Sequence, residues 1–277
     1  MTATQVPGPT DVGSMYDRFN DLFTRHLGDN LHLGFWSDDQ DGATAAEATD
    51  RITDMVADRL APAPGTEVLD VGCGSGRPAV RIADRHRTHV TGITVSAHQV
   101  RLAHARPGAG PGAGRASFQL ADAMALPFPD GRFAGAYAIE SLLHMSDRAK
   151  AVAEIARTLR PGARLVVLDF YQDGGFSAPE SDVMNPVFQA FRLPPLPCSG
   201  QYEQYMAAAG LEVTGLEDIT GNVRRSHRLI ADAMQNISDE LDVDEETRGQ
   251  IRRYVELNEI IGLHPEVHYA LITARLP

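Results

Sequence analysis

The chain has only two cysteines in 277 residues, Cys73 and Cys198. Cys73 lies between two glycines, where a structural disulfide is not expected, and no zinc-type spacing surrounds either cysteine. The histidines suggest no metal site either, so none is expected. Tryptophan occurs once, at Trp36. No apolar run approaches the roughly 18 residues that a membrane span needs. The first residues are polar, rich in Pro and Gly, and lack the charged and apolar regions of a signal peptide. A reducing cytoplasm fits these absences. Positive charge is also scarce: the formal net charge is -12. So acidic a chain is a poor general binder of nucleic acid phosphates. Arg224, Arg225 and Arg228 form its one dense basic cluster, read as a solvated helix face. No nucleic-acid or membrane partner is expected; a homo-oligomer is left open.

The length and a hydrophobic content of 43% suffice for a sizeable α/β domain with an added subdomain. Apolar strands are expected at 67–71, 88–93, 116–120, 133–139 and 164–170, with helices between them. Arg160-Pro161-Gly162 should turn the chain into the fifth strand, whose continuous apolar run suits a parallel strand covered on both faces. The alternation predicts a Rossmann-like, doubly wound, mostly parallel seven-stranded sheet. N-terminal helices precede it, and a helical cap is inserted between the last strands, expected at 211–219 and 268–275. The boundaries drawn are a disordered lead at 1–13, a helical lid at 14–62, the core at 63–222, a cap at 223–264 and a final strand at 265–277. Between strands five and six only a short helical stretch, around 187–191, is expected.

The most informative stretch runs from Glu67 to Gly76, where an apolar strand enters a turn with glycines at 72, 74 and 76. Glycine lets a ligand lie against the main chain, and a helix start favours a negative group. The spacing is G-x-G-x-G with Asp70 two residues ahead, not the G-x-G-x-x-G of dinucleotide binders.

Val68-Leu69-Asp70-Val71-Gly72-Cys73-Gly74 resembles motif I of the class I S-adenosylmethionine (SAM) methyltransferases. The resemblance implies SAM as cofactor, with the turn at Gly72, Cys73 and Gly74 under its methionine part and Asp70 near its amino group. Ala121-Asp122-Ala123 resembles motif II, which implies that Asp122 and the Ala123 N–H read the adenine edge. Gly92-Ile93-Thr94-Val95-Ser96, with Gln99, resembles the sterol, tocopherol and cyclopropane-type enzymes of this family. Thr94 stands where many relatives carry a carboxylate for the ribose; a hydroxyl can still hydrogen-bond there. The segment through Trp36 resembles the family's H-x-G-[YF]-W lid, with Tyr16 upstream. Cofactor contact is therefore expected from Tyr16, Trp36, Thr94, Gln99 and Glu140 as well.

Strand four ends Ile139-Glu140-Ser141-Leu142-Leu143-His144. A histidine past the carboxyl end of a parallel strand sits where substrate should be, and with a pKa near neutrality it can take a proton from a hydroxyl. Asp169 ends the adjacent strand and could orient that imidazole, as carboxylates do in triads. His144 and Asp169 are the candidate catalytic pair. Over nearly its full length the chain resembles actinomycete natural-product O-methyltransferases of the rebeccamycin and rifamycin type. That implies a small-molecule acceptor and methyl transfer to a hydroxyl of a bulky secondary metabolite; an amine acceptor, a carbon acceptor such as a prenyl diphosphate, or a SAM-binding cyclase remains open.

Overall fold

Strand order puts the glycine turn where the sheet reverses direction. A computed structural model describes residues 7–24, 29–112, 114–240 and 245–277; the side chains at 16, 18–24, 236–240, 246 and 247 fall outside that description. The strands are β1 (Glu67–Val71), β2 (His89–Thr94), β3 (Arg115–Leu120), β4 (Phe133–Ile139), β5 (Leu159–Gln172), β6 (Glu212–Asp218) and β7 (Val267–Arg275). They form one sheet in the order β3-β2-β1-β4-β5-β7-β6. The first five pair in parallel, and β7 runs antiparallel to both neighbours. The mostly parallel, doubly wound sheet is therefore as expected. Its order reverses between β1 and β4, and ligands of such sheets bind outside the carboxyl ends at that point.

The helices are α1 (Pro9–Thr24), α2 (Ala45–Leu60), α3 (Arg77–His86), α4 (Ala97–His104), α5 (Arg148–Thr158), α6 (Ala178–Ala190), α7 (Gln201–Ala208), α8 (Thr220–Glu240) and α9 (Glu245–Leu263). One face of the sheet packs on Ile52, Val56 and Leu60 of α2 and on Ala79 and Ile82 of α3; that cluster extends to Leu257 and Ile261 of α9. The other face packs on Val152 and Ile155 of α5 and on Tyr202 and Met206 of α7. Helix α3, which leads away from the glycine turn, is pinned to α2 by three rungs of charge. Arg77, Arg81 and Arg85 meet Asp50, Asp54 and Asp58 at 2.9, 2.8 and 2.7 Å. Both triplets have four-residue spacing, which keeps them on facing helix surfaces.

Four local expectations need correction. The lead expected to be disordered through residue 13 is helical from Pro9, because Asp11 Oδ2 accepts from the Gly8 N–H at 2.9 Å and caps the first turn. Strand β5 begins at Leu159, so Arg160-Pro161-Gly162 is an irregularity within the strand and not a turn before it. Its Gly162 has φ of 83° and donates to Leu276 O at 2.8 Å. Helix α6 runs for 13 residues, far beyond the short stretch expected. Ser177 and Glu180 form a capping box, and one proline sits in the first turn, where a missing N–H costs nothing. Helix α8 starts at Thr220, inside the segment assigned to the core. Among the described residues no helix is long and apolar enough to cross a membrane.

Candidate active site

A cleft of about 980 Å³ opens at the carboxyl ends of β1, β2 and β4. Gly72, Cys73, Gly74 and Asp70 line it on the β1 side, Thr94 and Gln99 on the β2 side, and Asp122 and Ala123 after β3. Glu140 and His144 line it after β4. Thus ten of the residues assigned to the cofactor or the reaction meet in one cleft although spread over 75 positions of sequence, from 70 to 144.

The turn is shaped for close approach. Gly72 and Gly74 have φ of 79° and 51°. The Gly72 and Cys73 N–H groups both donate to Ile93 O, at 2.9 and 2.8 Å, which ties the turn to β2. Asp70 is buried at the cleft wall, and its Oδ2 has no hydrogen-bond partner among the described residues. Burial pushes its carboxyl up to about 7, with the neighbouring Tyr137 hydroxyl pulling partly the other way. An orphaned buried carboxylate suits a cationic group, and the ammonium of SAM is one. After β3, Asp122 Oδ1 accepts from the Met124 N–H at 2.9 Å, an Asx turn that holds the loop and leaves the second carboxylate oxygen out of that bond. Thr94 Oγ1 donates to Gln99 Oε1 at 2.6 Å, so these two act as one polar unit at the cleft wall. These residues fit SAM.

A cationic ligand at the Asp70 carboxylate would bind in a pH-dependent way. The raised pKa of Asp70 means that the folded, ligand-free protein holds a proton that the unfolded chain releases, so stability falls as pH rises from about 4 to 7. A cation at the carboxylate reverses the preference. SAM affinity should therefore rise with pH toward about 7 and then level, with proton uptake by buffer visible in calorimetry. Asp70→Asn should weaken binding and flatten that slope.

His144 stands on a short 3₁₀ turn, Leu142–His144, directly after β4. Its Nδ1 faces Arg192 O at 3.4 Å; a carbonyl only accepts, which favours the tautomer with the proton on Nδ1 and the lone pair on Nε2. The near-neutral pKa expected for it needs correction: burial lowers the ring to about 4, so it is neutral at physiological pH. The expected contact with Asp169 is not formed. Asp169 Oδ2 accepts from the Leu143 N–H and Oδ1 from the Phe170 N–H, each at 2.9 Å. The adjacent strands do bring the two residues close, but the carboxylate holds the backbone of the turn and not the imidazole. Arg148 completes this hold. Its buried guanidinium donates to Leu142 O and Leu143 O at 3.2 and 2.8 Å, and to Pro195 O at 2.9 Å. Nothing in the sequence marked Arg148, one of two cations in its helix's first turn.

Trp36 also needs correction. It does not line the cleft; its Nε1 donates to Ala43 O at 3.0 Å and the Arg225 guanidinium lies 5.3 Å from its ring centre. Its backbone N–H donates to Asn222 O at 3.0 Å, and Asn222 Nδ2 donates back to Trp36 O at 2.7 Å. The ring is a buried fastener between the N-terminal segment and α8. Trp36→Ala should cost about 3–5 kcal/mol of stability, read as a fall in Tm, with little change in SAM affinity for the folded fraction. The residues of that segment that do wall the cleft are Leu31 and His32. Tyr16 lies on α1, but its side chain is outside the described residues.

Glu140 has φ of 47° and is fixed by two donors. Its Oε1 accepts from the Leu33 N–H at 2.7 Å and from the Tyr269 hydroxyl at 2.5 Å, and burial raises its pKa to about 7. Behind Glu140 and His144 lies a second cavity of about 750 Å³, walled by Leu143, Phe170, Phe191, Leu193 and Ile261 among others. Glu140, His144 and Leu31 border both spaces.

Residues 68–162 match a family model described as a methyltransferase domain. An O-methyltransferase of Penicillium expansum is 41% identical over 97% of this chain and 93% of its own length. The 27-O-demethylrifamycin SV methyltransferase of Amycolatopsis mediterranei is 36% identical over 98% of each chain. Among solved structures, the 4+2 cyclase SpnF is 32% identical with a TM-score of 0.80, over 99% of this chain and 98% of its own. With the glycine turn, the orphaned Asp70 carboxylate and this full-length similarity together, the chain belongs to the SAM-dependent methyltransferases.

Proposed function

We propose that the protein methylates a hydroxyl of a bulky, largely apolar natural product, with SAM in the glycine-turn cleft and the acceptor in the cavity under the cap. The observation that carries this is the position of His144, which borders both spaces. When bound, SAM supplies an electrophilic methyl group on sulfur. The protein's part is to aim an oxygen at it and to remove that oxygen's proton. Glu140 and Leu31 stand with His144 on the border of the two spaces, where the acceptor oxygen would have to be aimed. Positioning of this kind supplies much of the acceleration of a two-substrate reaction.

His144 Nε2 receives the proton. A ring whose pKa is lowered to about 4 is a weak base toward a free alcohol. It is an adequate one toward an oxygen that is gaining a bond to carbon, because that oxygen becomes strongly acidic as the bond forms. Burial ensures that the ring is not already protonated at physiological pH. Asp169 and Arg148 keep the turn, and so Nε2, in place.

The acceptor cavity argues against a prenyl diphosphate. Its described lining contains no arginine or lysine. Arg225, from the one basic cluster, is engaged instead by Asp41 O and the Trp36 ring. The O-methyltransferase names of the relatives from Penicillium expansum and Amycolatopsis mediterranei support an oxygen acceptor. The test is turnover of methyl-labelled SAM on macrocyclic and polyketide alcohols, matched amines and geranyl diphosphate. Alcohols should be methylated; exclusive turnover of the amines or the diphosphate would overturn the reading.

A further inference from the structure

The second cavity contains a histidine that methyl transfer does not use. His227, on α8, is 5% exposed and lines the cavity beside Phe170, whose ring meets it edge-on at 6.3 Å between centres. Asn258, on α9, fixes it twice. Asn258 Nδ2 donates to His227 O at 2.8 Å. A carbonyl only accepts, so the orientation of the amide is settled, and Asn258 Oδ1 faces the ring Nδ1 at 3.0 Å. An amide oxygen also only accepts, so Nδ1 carries the ring proton and Nε2 carries the lone pair. Gly262 makes room for this pose: any Cβ there would come within 2.2 Å of His227 Cγ. That side of the ring, Cγ with Cδ2 and Nδ1, rests on α9, while Nε2 has no hydrogen-bond partner among the described residues. Burial lowers the ring's pKa, which keeps it neutral.

An acceptor nitrogen on the wall of a largely apolar cavity is costly unless a donor meets it. The donor an alcohol-binding cavity would receive is a hydroxyl other than the reacting one. We infer that His227 Nε2 reads a second hydroxyl, so that the acceptors are apolar diols or polyols and not simple alcohols. This rests on the cavity being the acceptor's. Sequence gave no hint of it, since His227 and Asn258 are 31 residues apart on two helices.

The test uses the whole protein loaded with S-adenosylhomocysteine. The probes are octanediols whose second hydroxyl is stepped along the chain from the second carbon to the eighth, with octanol as reference. Nitrogen NMR of the histidine-labelled protein should show His227 as the Nδ1–H tautomer. At least one diol should bind about three- to tenfold more tightly than octanol and shift the Nε2 resonance. His227→Phe should remove that preference with octanol affinity unchanged, and His227→Gln, which keeps an acceptor oxygen, should restore part of it. The opposite tautomer overturns the inference. So do diols that bind no better than octanol, a wild-type protein that binds neither, and a His227→Phe variant that weakens both alike. None of these readouts needs turnover, so a protein that prefers diols but methylates no alcohol would fail as a methyltransferase of alcohols and still pass here.

Discussion

Replacing His144 with alanine is expected to lower kcat by about 10²–10⁴-fold, the usual worth of a positioned general base, with SAM affinity nearly unchanged. The ring borders both the glycine-turn cleft and the second cavity, so its loss should fall on the reaction more than on cofactor binding. Its pKa of about 4 adds a sign that can be checked. The neutral ring is the active form, so activity should be flat with respect to His144 from mildly acidic to mildly basic pH, and should fall only as pH drops toward about 4. A base of ordinary pKa would show its loss near 6.5 instead. Asp169→Asn should cost less than His144→Ala. The amide keeps one accepting oxygen, so one of the two backbone bonds at Leu143 and Phe170 survives, and the turn is loosened without loss of the base. Unchanged kcat in His144→Ala on a good acceptor would leave proximity alone as the mechanism.

Replacing Gly74 with valine should abolish SAM binding. The backbone at Gly74 has φ of 51°, a region that branched residues enter at a cost of about 1–3 kcal/mol. Its Cβ would lie 3.0 Å from Leu31 Cδ1, so the side chain would push into the wall of the cleft where a ligand passes closest to the main chain. The sheet should survive, because the Gly72 and Cys73 N–H groups still hold Ile93 O. Calorimetry should then show no SAM binding, while circular dichroism is unchanged and Tm falls by only a few degrees. Retained affinity would place the methionine part of SAM elsewhere.

The fold was readable from patterns set by local physics. The apolar runs of β1, β4 and β5 needed no partner to be recognised, and Gly72, Gly74 and Asp70 carry their meaning in their spacing. Helix α6 was masked by its two prolines, one of which sits harmlessly in the first turn. Residues whose role depends on where another segment arrives were not readable. Trp36 lies in a lid-like motif, yet Asn222 and Arg225 arrive from α8 to hold it away from the cleft. His144 was correctly placed past β4, but its pKa depends on a burial that residues near 192 help to create. Asp169 looked like the partner of the imidazole because the strands are adjacent; the Leu143 N–H takes the carboxylate instead. His227 and Asn258 form a pair only once α8 and α9 pack together.

The most direct measurement is a crystal structure with S-adenosylhomocysteine and a methylated alcohol product. S-adenosylhomocysteine should lie along the glycine turn, with its amino group at Asp70 and its adenine at Asp122 and Ala123. The ether oxygen should lie about 3 Å from His144 Nε2, with the rest of the product in the cavity beside Phe170 and Leu193. A product bound outside that cavity, or an ether oxygen beyond reach of His144, would contradict the joining of the two spaces at this histidine.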